Sequence, residues 1–355
     1  SLYDDLKSPG KKYLSALIEY SSIDEIKLNR TQIFNKKSSS AKISVGLIGA
    51  GNYAQTALLP LLTSSEKVML KGLVTQNGST GKFLSEKYNF QYITTKPERL
   101  LDDDNLDLVF VLTRHDSHSK YVINCLERNI NVFVEKPLAT NMNDLVKIGE
   151  IYSKSRASIM VGFNRRFSPL VKKMKSYSSK RKSPVYLNYS INAGHLDSNH
   201  WLHDINEGGG RLVGEACHFL DLSNYLIDKT LLSSDIDFLP LSSGKPKDDS
   251  FLLKSMYSDG SLSTISYLSE SSTCLPKEKI EMSFGGITLV MDDFSSLKVF
   301  SDKGNVENIR ITQDKGQKLM IESLISSHLD DSIGLPDFDL MFNVFQTLIT
   351  LRDTK

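Results

Sequence analysis

The sequence predicts an α/β protein in which a doubly wound parallel sheet is followed by an α+β domain built on an open, mostly antiparallel sheet. Three features of its 355 residues carry that expectation. Short apolar runs alternate with segments of helical period between residues 43 and 165, the pattern of parallel strands linked by crossover helices. A glycine-rich turn, VGLIGAGNYAQTALLP from Val45 to Pro60, joins the first run to the first helical segment. Beyond Arg166 the runs alternate apolar and polar residues, which suits a sheet with one face in water.

In chain order, residues 11–27 carry apolar positions at helical spacing and NKKSSSAK, 35–42, is a polar, serine-rich linker, so 1–42 reads as a helical appendage. Parallel strands are expected at 43–48, 68–74, 106–112, 131–135 and 158–163, with helices at 116–128 and 141–154, making 43–165 one domain. The second domain, 166–355, opens with a helix at 167–178 and a strand at 184–192. A loop containing SNHWLHD and a helix after Gly208, Gly209 and Gly210 follow. Four or five alternating runs between 234 and 301, then helices at about 314–328 and 336–352, complete it.

The composition narrows the partners. Lys plus Arg total 43 against 42 Asp plus Glu, a formal net charge of +1, which gives no field to attract nucleic acid or an anionic membrane. Cys125, Cys217 and Cys274 are far apart with no C-x-x-C pair, so neither a disulfide framework nor a structural zinc site is expected, and a reducing cytoplasm fits. No apolar run reaches the roughly 18 residues of a membrane span, and the first residues lack the apolar centre of a signal peptide. A small molecule is the expected partner.

Gly49, Gly51 and Ala54 form a G-x-G-x-x-A pattern between a strand and a helix. The first glycine permits the tight turn, the second admits a pyrophosphate to the backbone, and the small third residue lets the helix pack on the strand. Asn52 and Tyr53 would open the helix whose N–H groups and dipole favour the phosphates. A tight turn with no ligand is the plainer alternative. The second strand ends in Thr75, Gln76 and Asn77, with neither the acid that binds an NAD ribose nor an arginine for a 2′-phosphate, so NAD and NADP both stay open.

Four segments in order, GLIGAGNYAQ, LTRHDSHSKYV, VEKPLAT and GGGRLVGEACHFLDL, resemble the glucose-fructose oxidoreductase, inositol dehydrogenase and MocA (Gfo/Idh/MocA) family over about residues 43–353. The resemblance implies a Rossmann domain followed by an α/β domain with an open antiparallel sheet. It implies NAD(P)-dependent oxidation or reduction of a sugar, cyclitol or nucleotide-sugar carbon, and a homo-oligomer, dimer or tetramer, formed through that sheet. VGFNRRFSP and HWLHDINEGGGRLVGEACHFLDL are similar to a subgroup in which the unit can follow a zinc-type alcohol dehydrogenase domain, fused or as a partner. Residues 1–40 would then be the tail of that domain.

Lys136 follows the strand at 131–135 at its carboxyl edge beside Glu135 and Pro137, where ligands bind in doubly wound sheets. In the family the matching lysine bonds the reacting hydroxyl and helps to position the nicotinamide. His218 is the candidate general base, because hydride leaves a carbinol carbon only as the hydroxyl proton departs and imidazole titrates near neutrality. The family pattern on that helix is Asp-x-x-x-His; here the aspartate position is Gly214, and Glu215, three residues before His218, is expected to support it. Thr113, Arg114, His115 and His118 follow the strand at 106–112 and stand as cofactor contacts, with Glu135 and Lys136. Asn164, Arg165, Trp201, His203 and Arg211 are candidate substrate contacts, the tryptophan as a stacking surface for a sugar ring. The H-x-x-H spacing of His200 and His203 lacks a third ligand, so no metal is expected.

These residues point to an NAD(P)-dependent dehydrogenase or reductase acting on CH–OH groups. The replacement at Gly214 keeps two rivals open: a glycosidase or lyase that retains its NAD, and a non-catalytic sugar or nucleotide sensor.

Overall fold

A computed structural model describes residues 42–239, 246–272, 274–304, 306–330 and 332–354, and the backbone of 31–33. The helix expected at 11–27, and all of the 35–42 linker but Lys42, lie outside those residues. Residues 31–33, placed by the sequence reading in a helical appendage, are instead a strand, β1 (Thr31–Ile33).

Six parallel strands follow: β2 (Ile43–Ile48), β3 (Val68–Val74), β4 (Tyr92–Thr94), β5 (Leu108–Val111), β6 (Asn131–Val134) and β7 (Ile159–Val161). The sheet order is β1-β4-β3-β2-β5-β6-β7, with β1 antiparallel at the edge. The chain therefore winds outward from β2 to β4 and then returns to lay β5 on the other side of β2. That reversal opens a crevice at the carboxyl ends of β2 and β5, the place where doubly wound sheets bind ligands.

The central strands are buried along both faces, which is why they read as unbroken apolar runs. Val109 and Val111 point into one core while Leu108 and Phe110 point into the other. The crossover helices have local start signals. Asn77 caps Gly78–Tyr88 by accepting from the Ser79 N–H, and Asn141 caps Met142–Tyr152 by accepting from Asp144.

The second sheet contains β8 (Tyr186–Asn192), β9 (Leu231–Phe238), β10 (Phe251–Tyr257), β11 (Leu262–Leu268), β12 (Glu278–Phe284), β13 (Ile287–Asp292), β14 (Ser296–Ser301) and β15 (Val306–Arg310). Its order is β15-β14-β13-β12-β8-β11-β10-β9; β8 and β11 pair in parallel and the other neighbours are antiparallel. One face is buried under the helices Pro169–Ser178 and Cys217–Ile227, with Phe219 set edge-on to Tyr189. On the other face Tyr186, Leu252, Met256 and Leu262 are exposed.

Two C-terminal helices tie the domains together. Met320, Ile321 and Leu324 of Gln317–Ser327 join the core under the glycine-turn helix, and Phe345 of Phe338–Thr354 stacks on Phe163. The sequence boundary at 165/166 is thus crossed by packing from the far end of the chain. Phe110, fully buried with its ring 4.8 Å from Phe133, sits at the centre of the parallel sheet. Phe110→Ala is expected to destabilise the protein by about 3–5 kcal/mol, read as a lower urea midpoint with an unchanged m-value.

Candidate active site

The carboxyl ends of the parallel strands and the second domain enclose a cleft of about 730 Å³. The glycine turn supplies Gly51, Asn52, Tyr53 and Ala54; the segment after β5 supplies Thr113, Arg114, His115 and His118. Glu135 and Lys136 follow β6, Asn164 and Arg165 follow β7, and Trp201, His218, Lys315 and Gln317 close the far side.

Gly49 has φ +90°, and a Cβ there would stand 2.7 Å from the Leu112 carbonyl oxygen, so the turn requires glycine. A Cβ on Gly51 would meet nothing within 4 Å, because the residue borders open cleft. The helix after it begins with a wide π turn, Ala54–Leu58, and its first N–H groups have no partner by position. These residues fit a dinucleotide pyrophosphate. At the end of β3 the buried Thr75 hydroxyl donates to the Asn77 carbonyl at 3.0 Å, while Gln76 is exposed.

The imidazoles after β5 serve as staples. His115 Nδ1 donates to the Gly208 carbonyl at 2.8 Å, and its ring meets Trp201 edge-on at 4.8 Å. Burial, helped by Lys136, pushes its pKa down to about 2. His118 is fully buried, with Nδ1 2.8 Å from the Pro137 carbonyl and Nε2 3.0 Å from that of Thr113. Arg114 pairs with Glu207 and lies over the Trp201 ring.

Lys136 Nζ donates to the Gly214 carbonyl at 2.8 Å. A side chain at Gly214 would start 2.8 Å from Leu202 Cδ1 and 3.3 Å from His115 Cε1, so the space of the family's aspartate is filled by the loop before it. The helix expected to run from Gly210 through His218 is broken into Gly210–Gly214 and Cys217–Ile227. Glu215 sits in the break with φ −123°. Its carboxylate accepts from the Tyr267 hydroxyl and lies 3.8 Å from Arg211. The expected support of His218 by Glu215 is therefore corrected: helical i,i+3 neighbours require a helix, and His218 Nδ1 has no hydrogen-bond partner. Burial lowers the His218 pKa well below its ordinary value, and Arg165, Lys136, Lys277 and Lys315 add to the effect.

Two substrate candidates lie away from the cleft lining. Arg211, 2% exposed, donates to the Tyr267 hydroxyl at 2.8 Å and the Gly194 carbonyl at 3.1 Å, and pairs with Asp249 at 2.7 Å. His203 packs beside that Arg211–Asp249 pair. Asn164 borders the cleft, but its amide donates to the Lys315 carbonyl at 2.7 Å and holds the loop.

Arg165 brings in residues that the sequence reading passed over. Its Nε and Nη2 both donate to the fully buried Glu278 carboxylate at 2.8 Å. Lys315 Nζ reaches the same carboxylate at 2.8 Å and Asp293 at 3.1 Å, and the Tyr189 hydroxyl donates to it as well. Burial alone would raise the Glu278 pKa, but Arg165 and then Lys315 pull it down to about 2. Glu278 falls in the same alternation as buried Ile280, Met282 and Phe284, a signal that could have exposed it. On the other wall the Tyr53 hydroxyl stands beside Glu135, whose pKa burial raises to about 7 against the pull of Lys136.

This is a dinucleotide-binding Rossmann domain joined to an open-sheet domain, with a lysine and a histidine facing each other across the cleft. Residues 43–163 match the model of the Gfo/Idh/MocA oxidoreductase family, described as an NAD-binding Rossmann fold, so the match lies in the first domain. Putative oxidoreductase YceM of Salmonella typhimurium is 31% identical over 38% of this chain and 43% of its own length. Myo-inositol 2-dehydrogenase of Thermotoga maritima is 30% identical over 37% of this chain and 39% of its own length. The chain thus spans less than half the length of these curated relatives. Among solved structures, an oxidoreductase domain protein from Kribbella flavida superposes with a TM-score of 0.77 at 18% identity, covering 89% of this chain and 97% of that one. Levoglucosan dehydrogenase in complex with NADH and levoglucosan gives 0.76 at 16% identity, over 88% and 97% of the two chains. These likenesses show that the two-domain fold is shared.

The raised pKa of Glu135 makes stability depend on pH. Its folded value of about 7 exceeds the ordinary 4.5, so as pH rises between them the unfolded chain ionises first and the native state loses ground. Glu135→Gln is expected to match the parent in urea unfolding near pH 4, to gain on it as pH rises to about 7, and to keep a constant lead above that.

Proposed function

We propose that the protein is an NAD(P)-dependent oxidoreductase that transfers a hydride between nicotinamide and a carbinol or keto carbon of a sugar, cyclitol or nucleotide-sugar. The observation that carries this reading is the meeting, in one cleft, of the Gly51 cradle with Lys136 and His218. The names of the inositol and levoglucosan dehydrogenases that resemble the chain support the substrate class. Two buried thiols and an exposed one, all unpaired, suit a reducing cytoplasm. Among the described residues no helix is long and apolar enough to cross a membrane, and no cluster of side chains could hold a metal.

The nicotinamide supplies the hydride acceptor in oxidation and the donor in reduction. Lys136, anchored on the Gly214 carbonyl, retains ammonium protons to bond the substrate oxygen and to stabilise it as its proton departs. His218 is neutral at physiological pH, the state that accepts a proton. Burial, and then the surrounding cations, disfavour imidazolium.

A non-catalytic sensor is the second reading, favoured by Gly214 standing where the family pattern has an aspartate. It is separated from the first by binding of cofactor and sugar without turnover.

A fluorescence titration with NADH and NADPH is expected to show saturable binding of both. Residues 75–80 offer neither a carboxylate to bar a 2′-phosphate nor an arginine to hold it, so the two affinities should lie within about tenfold, 1.4 kcal/mol. His218→Ala should keep cofactor binding and lose about 10²–10⁴ in turnover. The parent's oxidation rate should show no inflection near pH 6.5, since the His218 titration lies well below it. Cofactor binding with unchanged turnover in the variant removes the base assignment.

The exposed face with Tyr186, Leu252, Met256 and Leu262 supports a homo-oligomer formed through the open sheet. Light scattering at micromolar concentration should give at least twice the chain mass; a monomer mass contradicts it.

A further inference from the structure

We propose that the substrate carries a carboxylate, received by Arg165 and Lys315 beside His218, while Lys136 bonds the reacting hydroxyl. This rests on the oxidoreductase reading and narrows its substrate to a sugar acid.

The argument begins with charge. Arg165 and Lys315 border the cleft with side chains only 11% and 19% exposed. Both lean on the same carboxylate, Glu278, so one anion is divided between two largely desolvated cations. Asp293 adds a second carboxylate at 3.1 Å from Lys315. Arg165 Nη1 is not used by Glu278, and a lysine ammonium has three protons, of which two are spent here.

Lys136 faces the same space with a backbone carbonyl as its partner, because Gly214 brings no carboxylate. The nearest acid on that wall is Glu135, buried beside Tyr53. Lys277 completes the set of cations acting on the His218 ring, and no carboxylate is prominent among the groups that shift it. Arg165, Lys315, Lys136 and Lys277 stand against Glu278, Asp293 and a Glu135 that is only partly ionised near neutrality, so positive charge is in excess around the histidine. Partly desolvated cations with incomplete compensation are costly, and a ligand anion removes the cost. A ligand carboxylate supplies negative charge to balance that excess. Arg165 also offers the planar donor set that a carboxylate accepts.

The test is calorimetric titration of the full chain, in excess NADH, with matched ligands on one ring: glucose, glucuronate and glucose 6-phosphate, and the same three for galactose. In at least one series the uronate should bind at least about tenfold more tightly than the neutral sugar. Lys315→Met should bring the two level, and Lys315→Arg should keep the gap. A hexose that binds as well as its uronate in both series, a 6-phosphate that binds best, or a gap that survives Lys315→Met overturns the proposal. Failure of uronates to bind at all does so too. A neutral sugar that is turned over with no gain from a carboxylate removes this inference and leaves the oxidoreductase reading standing. Uronates that bind as expected but are oxidised with neither NAD nor NADP remove the reading and leave the anion site.

Discussion

The Glu278 carboxylate is the joint on which the two domains meet. It lies on the first residue of β12, fully buried, and takes a two-point bond from Arg165 at the end of the parallel sheet. A carboxylate this deep is costly to desolvate, and the cost is met only because Arg165, Lys315 and Tyr189 satisfy its oxygens together. Lys315 in turn is held by its own backbone, since its carbonyl accepts from Asn164 at 2.7 Å. The next residue, Gly316, has φ +86°, and any Cβ there would strike the Asn164 carbonyl at 2.4 Å. The loop can thread against the first domain only with glycine at that point. One ion cluster thus fixes the angle between the sheets, the position of the loop before Gln317–Ser327, and the cationic wall of the cleft.

Burial first, and then nearby cations, set the protonation of the site. Burial and cations hold His115 and His218 neutral, so the charge that remains mobile belongs to groups outside the imidazoles. Glu135, with its pKa near 7, is the acid on the opposite wall that titrates closest to neutrality. The site therefore combines fixed cations, Arg165 from the first domain and Lys315 from the second, with a titratable carboxyl, Glu135.

Strands buried on both faces were legible because burial leaves no polar alternation to mask them, and β2, β3, β5 and β6 fall where the apolar runs do. β1 and β4, three residues each, are too short to show a period, and β15 alternates only between exposed and half-buried positions, so its residues need not be apolar. The helix break at Glu215 could not be read from GGGRLVGEACHFLDL, since nothing local forbids helix there. It coincides with a tertiary bond, the Tyr267 hydroxyl donating to the Glu215 carboxylate from 52 residues away. Arg211 misled for the converse reason. Its place at the start of a helix suggested a ligand, whereas Asp249 and Tyr267, 38 and 56 residues on, claim its guanidinium. That the glycine turn, Lys136 and His218 border one cleft was legible because each is placed by its own strand or helix end.

The exchange at Gly214 is a change of charge more than of shape. Lys136 finds an oxygen 2.8 Å away, as it would with a carboxylate, but that oxygen belongs to a neutral amide. A Cβ at 214 would stand 2.8 Å from Leu202 Cδ1, so that side chain would have to shift to admit an aspartate. The loop that carries Trp201 packs against Gly214, and the Lys136 ammonium is paired there with a neutral carbonyl. A lysine paired with a carboxylate presents almost no net field to a ligand, whereas one paired with a carbonyl presents nearly a whole charge at a few ångströms. Across a partly desolvated cleft such a charge outweighs any single hydrogen bond a hydroxyl could offer, so the sign of the ligand is selected before its stereochemistry.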